Sequence, residues 1–273
     1  MKLLRVLYQP YKWLIVIPLV GLSMAFFGTG AIIASYFSKS AACLFWGGNW
    51  ARFISSITPM LLFIKGRKNI DKTQSYVVVA NHQSVYDMIA VFGHLRMDLR
   101  WVMKKQLRKV PFLGYSSYRV GNVFVDRSNH EQAVKSVNEA KKVVKDGISM
   151  MFFAEGTRSM TGRLQEFKKG AFIMAMDMGL PILPVTLDGT IRILPSTTWN
   201  LFPGRASMII HEPIDTSGYT RDNIDELIAK VKGVIGSGLT ERSFVGGEDD
   251  QTGNGNQRTP KTRENLHTKS LSL

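Results

Sequence analysis

Tyr76-Val77-Val78-Val79-Ala80-Asn81-His82-Gln83-Ser84-Val85-Tyr86-Asp87-Met88-Ile89-Ala90-Val91-Phe92 sets two apolar runs on either side of a short polar turn. The first run is valine-rich and has the length of a buried strand; the second opens on an acid, as helices do. A strand that stops on Asn-His and re-enters a helix puts an imidazole at the mouth of a sheet, with Asp87 close by. On a regular helix, side chains at this spacing stand about 140° apart, so His82 and Asp87 meet only if His82 precedes the helix. Ser84-x-x-Asp87 also has the form of a capping box. Spacing alone leaves two readings open: a helix cap beside an incidental histidine, or a base with its orienting carboxylate.

Outward from this stretch, short apolar strands alternate with longer mixed segments. The strands expected are Tyr76–Ala80, Trp101–Met103, Val123–Val125, Ser149–Ala154, Ile182–Leu187 and Ser207–His211; the helices are Ser84–Phe92, His130–Lys145, Lys168–Met178 and Arg221–Ile235. Such alternation predicts an α/β domain over residues 68–240, with a mixed, largely parallel sheet flanked by helices. Residues 241–273 are rich in Gly, Asn and Thr, poor in apolar side chains and balanced in charge, the composition of a disordered polar tail.

Residues 1–67 have a different texture. No charged residue occurs between Lys12 and Lys39, so the run from Trp13 to Ala34 is long enough to cross a bilayer, with Trp13 and Tyr36 at its edges. A cleaved signal peptide would also begin with basic and then apolar residues. No A-x-A site follows, however, and Lys39 and Ser40 stand where a lipoprotein cleavage box needs apolar residues. A retained, membrane-embedded helical anchor is therefore expected. In residues 44–64, Asn49, Arg52, Ser55, Ser56 and Pro59 share one helical face while Trp46, Trp50, Phe53, Ile54 and Ile57 share the other. That pattern suits a helix lying in the interface, although a core helix reads similarly. Basic residues flank this unit on both sides, which by the positive-inside rule puts both ends, and the α/β domain, on the cytoplasmic face of an inner or plasma membrane.

The net charge of +14 calls for a negatively charged partner. The basic residues are dispersed, with neither an aromatic-interleaved RNA-binding pattern nor zinc-finger spacing, which argues against nucleic acid. Cys43 is the single cysteine and lies in an apolar segment, so neither a disulfide framework nor a catalytic thiol is expected. His82, His94, His130 and His211 form no pair with zinc-motif spacing, and no metal or other cofactor is expected.

Two further strand ends carry chemistry. Gly121-Asn122-Val123-Phe124-Val125-Asp126-Arg127 ends in Asp-Arg, and Phe152-Phe153-Ala154-Glu155-Gly156-Thr157-Arg158-Ser159 opens into Glu-Gly-Thr-Arg. Each ends a strand on an arginine, which taken alone reads as a surface salt bridge with Asp126 or Glu155, or else as a planar fork for phosphate in the crevice where open α/β sheets bind ligands. Gly156 would let backbone N–H groups approach an anion. Arg96, Arg100, Lys104, Lys105, Arg108 and Lys109, opposed only by Asp98, form a basic cluster that is either a phosphate site or a solvated, membrane-facing surface.

Taken together, Asn-His-Gln-Ser-Val-Tyr-Asp at 81–87, Gly-Asn-Val-Phe-Val-Asp-Arg at 121–127, Phe-Ala-Glu-Gly-Thr-Arg-Ser at 153–159 and Leu-Pro-Ile-Leu-Pro-Val at 180–185 resemble the four blocks of the glycerolipid acyltransferases, in order and at similar spacing. The resemblance is closest to the 1-acylglycerol-3-phosphate acyltransferases. It implies that His82 is the general base, with Asp87 holding its tautomer, and that Arg127, Glu155, Gly156, Thr157 and Arg158 form the glycerophosphate site. It also implies that Lys104 or Lys105 lies near the substrate phosphate. The acceptor would be lysophosphatidic acid, the donor acyl-CoA or acyl carrier protein, and the setting a lipid bilayer. Another lysolipid or glycerol 3-phosphate as acceptor, or a non-catalytic protein binding anionic lipid, are the alternatives. Ala154 departs from the family, which more often has proline there; the change loosens the loop and removes no reacting group.

Overall fold

A computed structural model of the chain describes residues 2–58, 60–126, 138–196, 198 and 200–244. Seven strands form one sheet: β1 Met60–Lys65, β2 Val77–Ala80, β3 Leu99–Lys104, β4 Val123–Val125, β5 Ser149–Phe153, β6 Ile182–Asp188 and β7 Gly204–Ile210, in the order β1-β7-β6-β2-β5-β3-β4. All neighbouring pairs are parallel except β6 with β7. The sheet is mixed and largely parallel, as expected. Strands β2 to β6 therefore release their C-terminal ends along one edge, while β1 and β7 point the opposite way.

Helices cover both faces. Val78 and Ala80 of β2 enter one apolar layer with Ile89, Ala90 and Val91 of the helix Tyr86–His94; Val77 and Val79 enter another with Phe172 and Met174 of Gly170–Met178 and with Leu227, Val231 and Ile235 of Ile224–Ser237. Burial of both faces is why β2 is apolar at every position rather than alternating. At about 25 cal/mol per Å², such a double-sided core supplies most of the driving force for folding.

Among the described residues the helices with both ends described are, in chain order, α1 Lys2–Tyr11, α2 Ile17–Ala34, α3 Lys39–Ala41, α4 Gly48–Ile57, α5 Tyr86–His94, α6 Leu113–Val120, α7 Gly170–Met178 and α8 Ile224–Ser237. A wide π turn, Lys12–Val16, joins α1 to α2, and Ile17 N–H reaches back to Lys12 O. Pro18 has no N–H to give Leu14, and the widened turn accommodates the loss. The continuous helix Val6–Ala34 contains an 18-residue stretch with a mean hydropathy of 2.0, and at 1.5 Å per residue the helix is about 44 Å long, enough to span a bilayer. It begins earlier than the sequence suggests: Lys12 lies inside it, buried, with Nζ over the Trp13 ring.

Three sequence expectations are corrected. Met60–Lys65, read as the end of the interfacial segment, is an edge strand of the sheet. Part of the polar face of α4 turns inward: Ser55 is buried and Arg52 Nε donates to Gly93 O at 2.8 Å, while Ser56 stays exposed. The last carbonyls of α5 lack intrahelical donors, and arginine answers that need better than water can at a buried site. Glu241–Phe244, assigned to the tail, packs on the domain through the buried Ser243. The helix α6 was missed, and most of the helix expected over His130–Lys145 lies outside the described residues, as does the tail from 245 onward. Close approach fastens the N-terminal unit to the domain. A Cβ on Gly47 would lie 2.3 Å from the Phe92 ring of the domain, and within the unit itself one on Gly30 would lie 2.2 Å from the Trp46 ring.

Two histidines couple the fold to pH. Burial first, and then Arg52, Arg67 and Arg96, hold His94 below the ordinary imidazole value, and burial does the same for His211. The unfolded chain binds these protons more tightly, so the contribution to stability is complete above about 6.5 and is lost as pH falls toward the folded-state values. Urea midpoints measured from pH 7.5 to 5 should fall, and the His94→Gln/His211→Gln chain should show a shallower decline.

Candidate active site

The strand β2 ends at Ala80, and Asn81 locks its exit onto β6: Asn81 Nδ2 donates to Leu187 O at 2.8 Å, and Leu187 N–H returns to Asn81 Oδ1 at 2.8 Å. His82 follows outside any helix, and α5 begins four residues later, at Tyr86. That placement lets Asp87, in the first turn of α5, face back along the chain. His82 Nδ1 lies 2.8 Å from Asp87 Oδ2, which also accepts Gln83 N–H at 2.6 Å and Ser84 N–H at 2.7 Å. A carboxylate oxygen already receiving two backbone donors acts as acceptor, so Nδ1 carries the proton and Nε2 keeps its lone pair. Among the described residues, no hydrogen bond to Nε2 occurs.

The helix cap and the His82–Asp87 pair share the same contacts. Asp87 performs the returning half of a capping box on Ser84 N–H, while Ser84 Oγ accepts Tyr86 N–H at 3.1 Å and donates to Leu194 O at 2.7 Å.

Phe153, the last residue of β5, stacks on the imidazole with centroids 3.9 Å apart and planes 9° apart. It fixes the ring plane and shields one face. Sequence reasoning overlooked it; the available signal was its position beside β2 at the end of a neighbouring parallel strand. Glu155 is buried, and its oxygens accept His82 N–H at 2.7 Å and Gln165 N–H at 3.1 Å. Both bonds run to backbone, and they hold His82 in place. Burial pushes its carboxyl above the ordinary range, against the pull of the two N–H donors. Gly156 is reassigned. Its N–H closes a turn onto Phe153 O at 3.0 Å rather than facing a ligand, and its φ of +74° is the conformation that favours glycine there.

Thr157 and Arg158 are exposed immediately beyond. Lys104 and Lys105, also exposed, end β3, two strands and so about 10 Å from β2 along the sheet. Lys105 Nζ lies 3.4 Å from Asp126 Oδ2. Arg127 lies outside the described residues. Arg100 does not belong to the exposed basic cluster: it is buried and paired with Asp98. Cys43 is buried, its thiol donating to Leu99 O at 3.2 Å.

Aromatic rings lead from the base into an apolar cleft. Phe153 lies 5.9 Å from Trp101, which meets Phe92 edge-on at 5.7 Å. Phe92 lines the cleft together with Met24, Phe27, Trp46, Trp50 and Leu113, between α2 and α6.

Replacing Glu155 by alanine strands two backbone N–H groups beneath the base. Stability should fall by about 1–3 kcal/mol in urea titrations, with activity falling further than the lost folded fraction explains.

A sequence model described as acyltransferase matches residues 62–188, the span that carries β2 through β6. The 1-acyl-sn-glycerol-3-phosphate acyltransferase of Haemophilus influenzae is 34% identical over 66% of this chain and 75% of its own length. The enzyme of that name from Saccharomyces cerevisiae is 34% identical over 69% of this chain, which spans 63% of the yeast protein. In three dimensions the fold is similar to the crystal structure of the 1-acyl-sn-glycerophosphate (LPA) acyltransferase PlsC from Thermotoga maritima. The TM-score is 0.73 at 26% identity, over 87% of this chain and 95% of that one. Since the matched span carries the strand ends that set a base, its carboxylate and a buried glutamate together, the chain belongs to the acyltransferase family.

Proposed function

We propose that this protein transfers a fatty acyl group from a thioester donor to the free hydroxyl of lysophosphatidic acid, giving phosphatidic acid. The observation that carries the reading is the His82–Asp87 pair, in which Nδ1–H is committed to the carboxylate and Nε2 has no partner among the described residues. An alcohol bound at Nε2 loses its proton to the imidazole as its oxygen attacks the thioester carbonyl. Asp87 holds the resulting imidazolium. The tetrahedral intermediate collapses with cleavage of the C–S bond, and the proton passes from Nε2 to the departing sulfur. An ester and a free thiol leave, and no acyl-enzyme is required.

Arg158, with Lys104 and Lys105, would hold the acceptor phosphate, since cations at the ends of neighbouring parallel strands share one edge of the sheet, and the resemblance of the sequence blocks adds Arg127 to them. The apolar cleft beside Phe92 suits a hydrocarbon chain. Acyl-CoA and acyl carrier protein present the same thioester chemistry, and either is a suitable donor. The Val6–Ala34 helix, with Trp13, Phe26, Phe37 and Phe45 exposed around it, would hold the site at a bilayer, with the sheet on the cytoplasmic side.

Purified protein in detergent, given lysophosphatidic acid and either donor, should form phosphatidic acid; no product with both donors would refute the reading. His82→Ala should lower turnover by about 10²–10⁴ in protein that is still folded by circular dichroism, with a melting temperature lowered by the loss of one donor to Asp87. Arg158→Gln should raise KM for lysophosphatidic acid by about tenfold, with the donor KM unchanged, as expected from losing one charge-assisted contact.

A further inference from the structure

Asp87 has a second carboxylate oxygen, and its partner comes from a distant part of the chain. Thr190, fully buried, donates its hydroxyl to Asp87 Oδ1. The three donors to Oδ2 all belong to residues 82–84 and fix one point of the carboxylate. A group held at one oxygen can still swing about it, so the partner of the other oxygen sets its plane against the imidazole. Among the described residues, Thr190 is the partner that Oδ1 has.

The turn that presents Thr190 is held from behind by the segment following α8. Asp188, the last residue of β6, is buried and accepts Thr240 Oγ1 at 2.8 Å, Ser243 Oγ at 2.5 Å and Thr240 N–H at 3.2 Å. Arg192, at the end of the turn, donates to the carbonyls of Arg242 and Glu241, each at 3.1 Å. The same strap touches the loop beyond Glu155: Gly162 lies so close that a Cβ there would fall 1.5 Å from Ser243 O. Gly162 O in turn accepts Gln83 Nε2 at 3.2 Å. The contacts form a closed ring, from Gln83 through Gly162, Ser243, Asp188 and Thr190 to Asp87, which accepts the Gln83 N–H.

We propose that Thr190 is a positioning residue for acyl transfer, setting the plane of Asp87 so that His82 is held for proton abstraction, and that the strap Thr240–Ser243 keeps Thr190 in register. This rests on His82 serving as the base. Thr190 does not touch substrate; it acts through Asp87. Its hydroxyl matters most when the imidazolium forms, so its loss should appear in kcat and not in KM.

The test compares Thr190→Val, nearly the same shape without the hydroxyl, with Thr190→Ser, which keeps it. Thr190→Val should lower kcat by about ten- to a hundredfold, with both KM values within about twofold of wild type, and Thr190→Ser should recover most of the loss. Thr190→Ala is carried alongside in case valine impairs folding. Thr240→Ala/Ser243→Ala should lower kcat in the same sense but less. Wild-type kcat in Thr190→Val, or a serine variant no better than valine, would overturn the role of the hydroxyl; wild-type kcat in the double variant would overturn that of the strap. A second readout needs no substrate. In protein labelled with ¹⁵N-histidine, the His82 Nδ1–H proton signal should move in Thr190→Val and stay in Thr190→Ser, and an unmoved signal in both would overturn the proposal. If wild-type protein makes no phosphatidic acid, the acyl-transfer reading fails, while this spectrum still decides whether Thr190 positions the pair.

Discussion

A carboxylate sealed from solvent is tolerable only when its oxygens are met by donors, and Asp87 is fully buried. Backbone N–H groups of Gln83 and Ser84, the imidazole of His82 and the hydroxyl of Thr190 meet that need. Each donor constrains a different part of the molecule. The turn must bend so that two successive N–H groups converge, α5 must start where Asp87 faces back, and β6 must end beside it. The positive end of the α5 dipole favours the negative charge at the same point. Much of the architecture between residues 76 and 192 can be read as the means of satisfying this one side chain.

The two helical layers serve different ends. The layer of α7 and α8 is core, packed on Val77 and Val79, and it anchors the strap that closes over β6. The layer of α4 and α5 is core against the sheet and continues outward into the N-terminal helices, whose outer surface carries exposed Leu14, Leu22, Phe26 and Phe37. Gly30 lets the Trp46 ring pack within the apolar unit, and Gly47 lets the Phe92 ring press against its backbone, so the unit is fastened to the α/β domain rather than tethered to it. An apolar cleft bounded by α2, α5 and α6 thereby lies a short run of rings from His82.

Much of this was readable from local pattern. β4 has the bounds its sequence suggests, and β2, β5, β6, α5 and α7 differ from expectation by one or two residues. Elements defined by fully apolar runs leave little ambiguity. β1 was hidden because Met60–Lys65 is also apolar and follows directly on a helix with an apolar stripe; its strand character comes from pairing with β7, far away in sequence. Arg52 was placed on an outer face because periodicity sees a polar stripe and cannot see the carbonyl of Gly93 waiting for it. Glu155 and Gly156 were recognised as important while their partners stayed hidden for the same reason.

By itself the sequence determined the class of fold, through composition and period, and it marked His82 and Asp87. Spacing left that pair open between a helix cap and a base with its carboxylate, and the resemblance of the four blocks to the acyltransferases chose between them. Only the tertiary structure decided that Phe153 stacks on the base, that Glu155 holds its backbone, and that Thr190 and the strap beyond α8 complete the surroundings of Asp87. The reason is physical: these partners are brought together by a parallel sheet whose neighbours are not neighbours in sequence. A hydrogen bond spanning a hundred residues leaves no local pattern to be read.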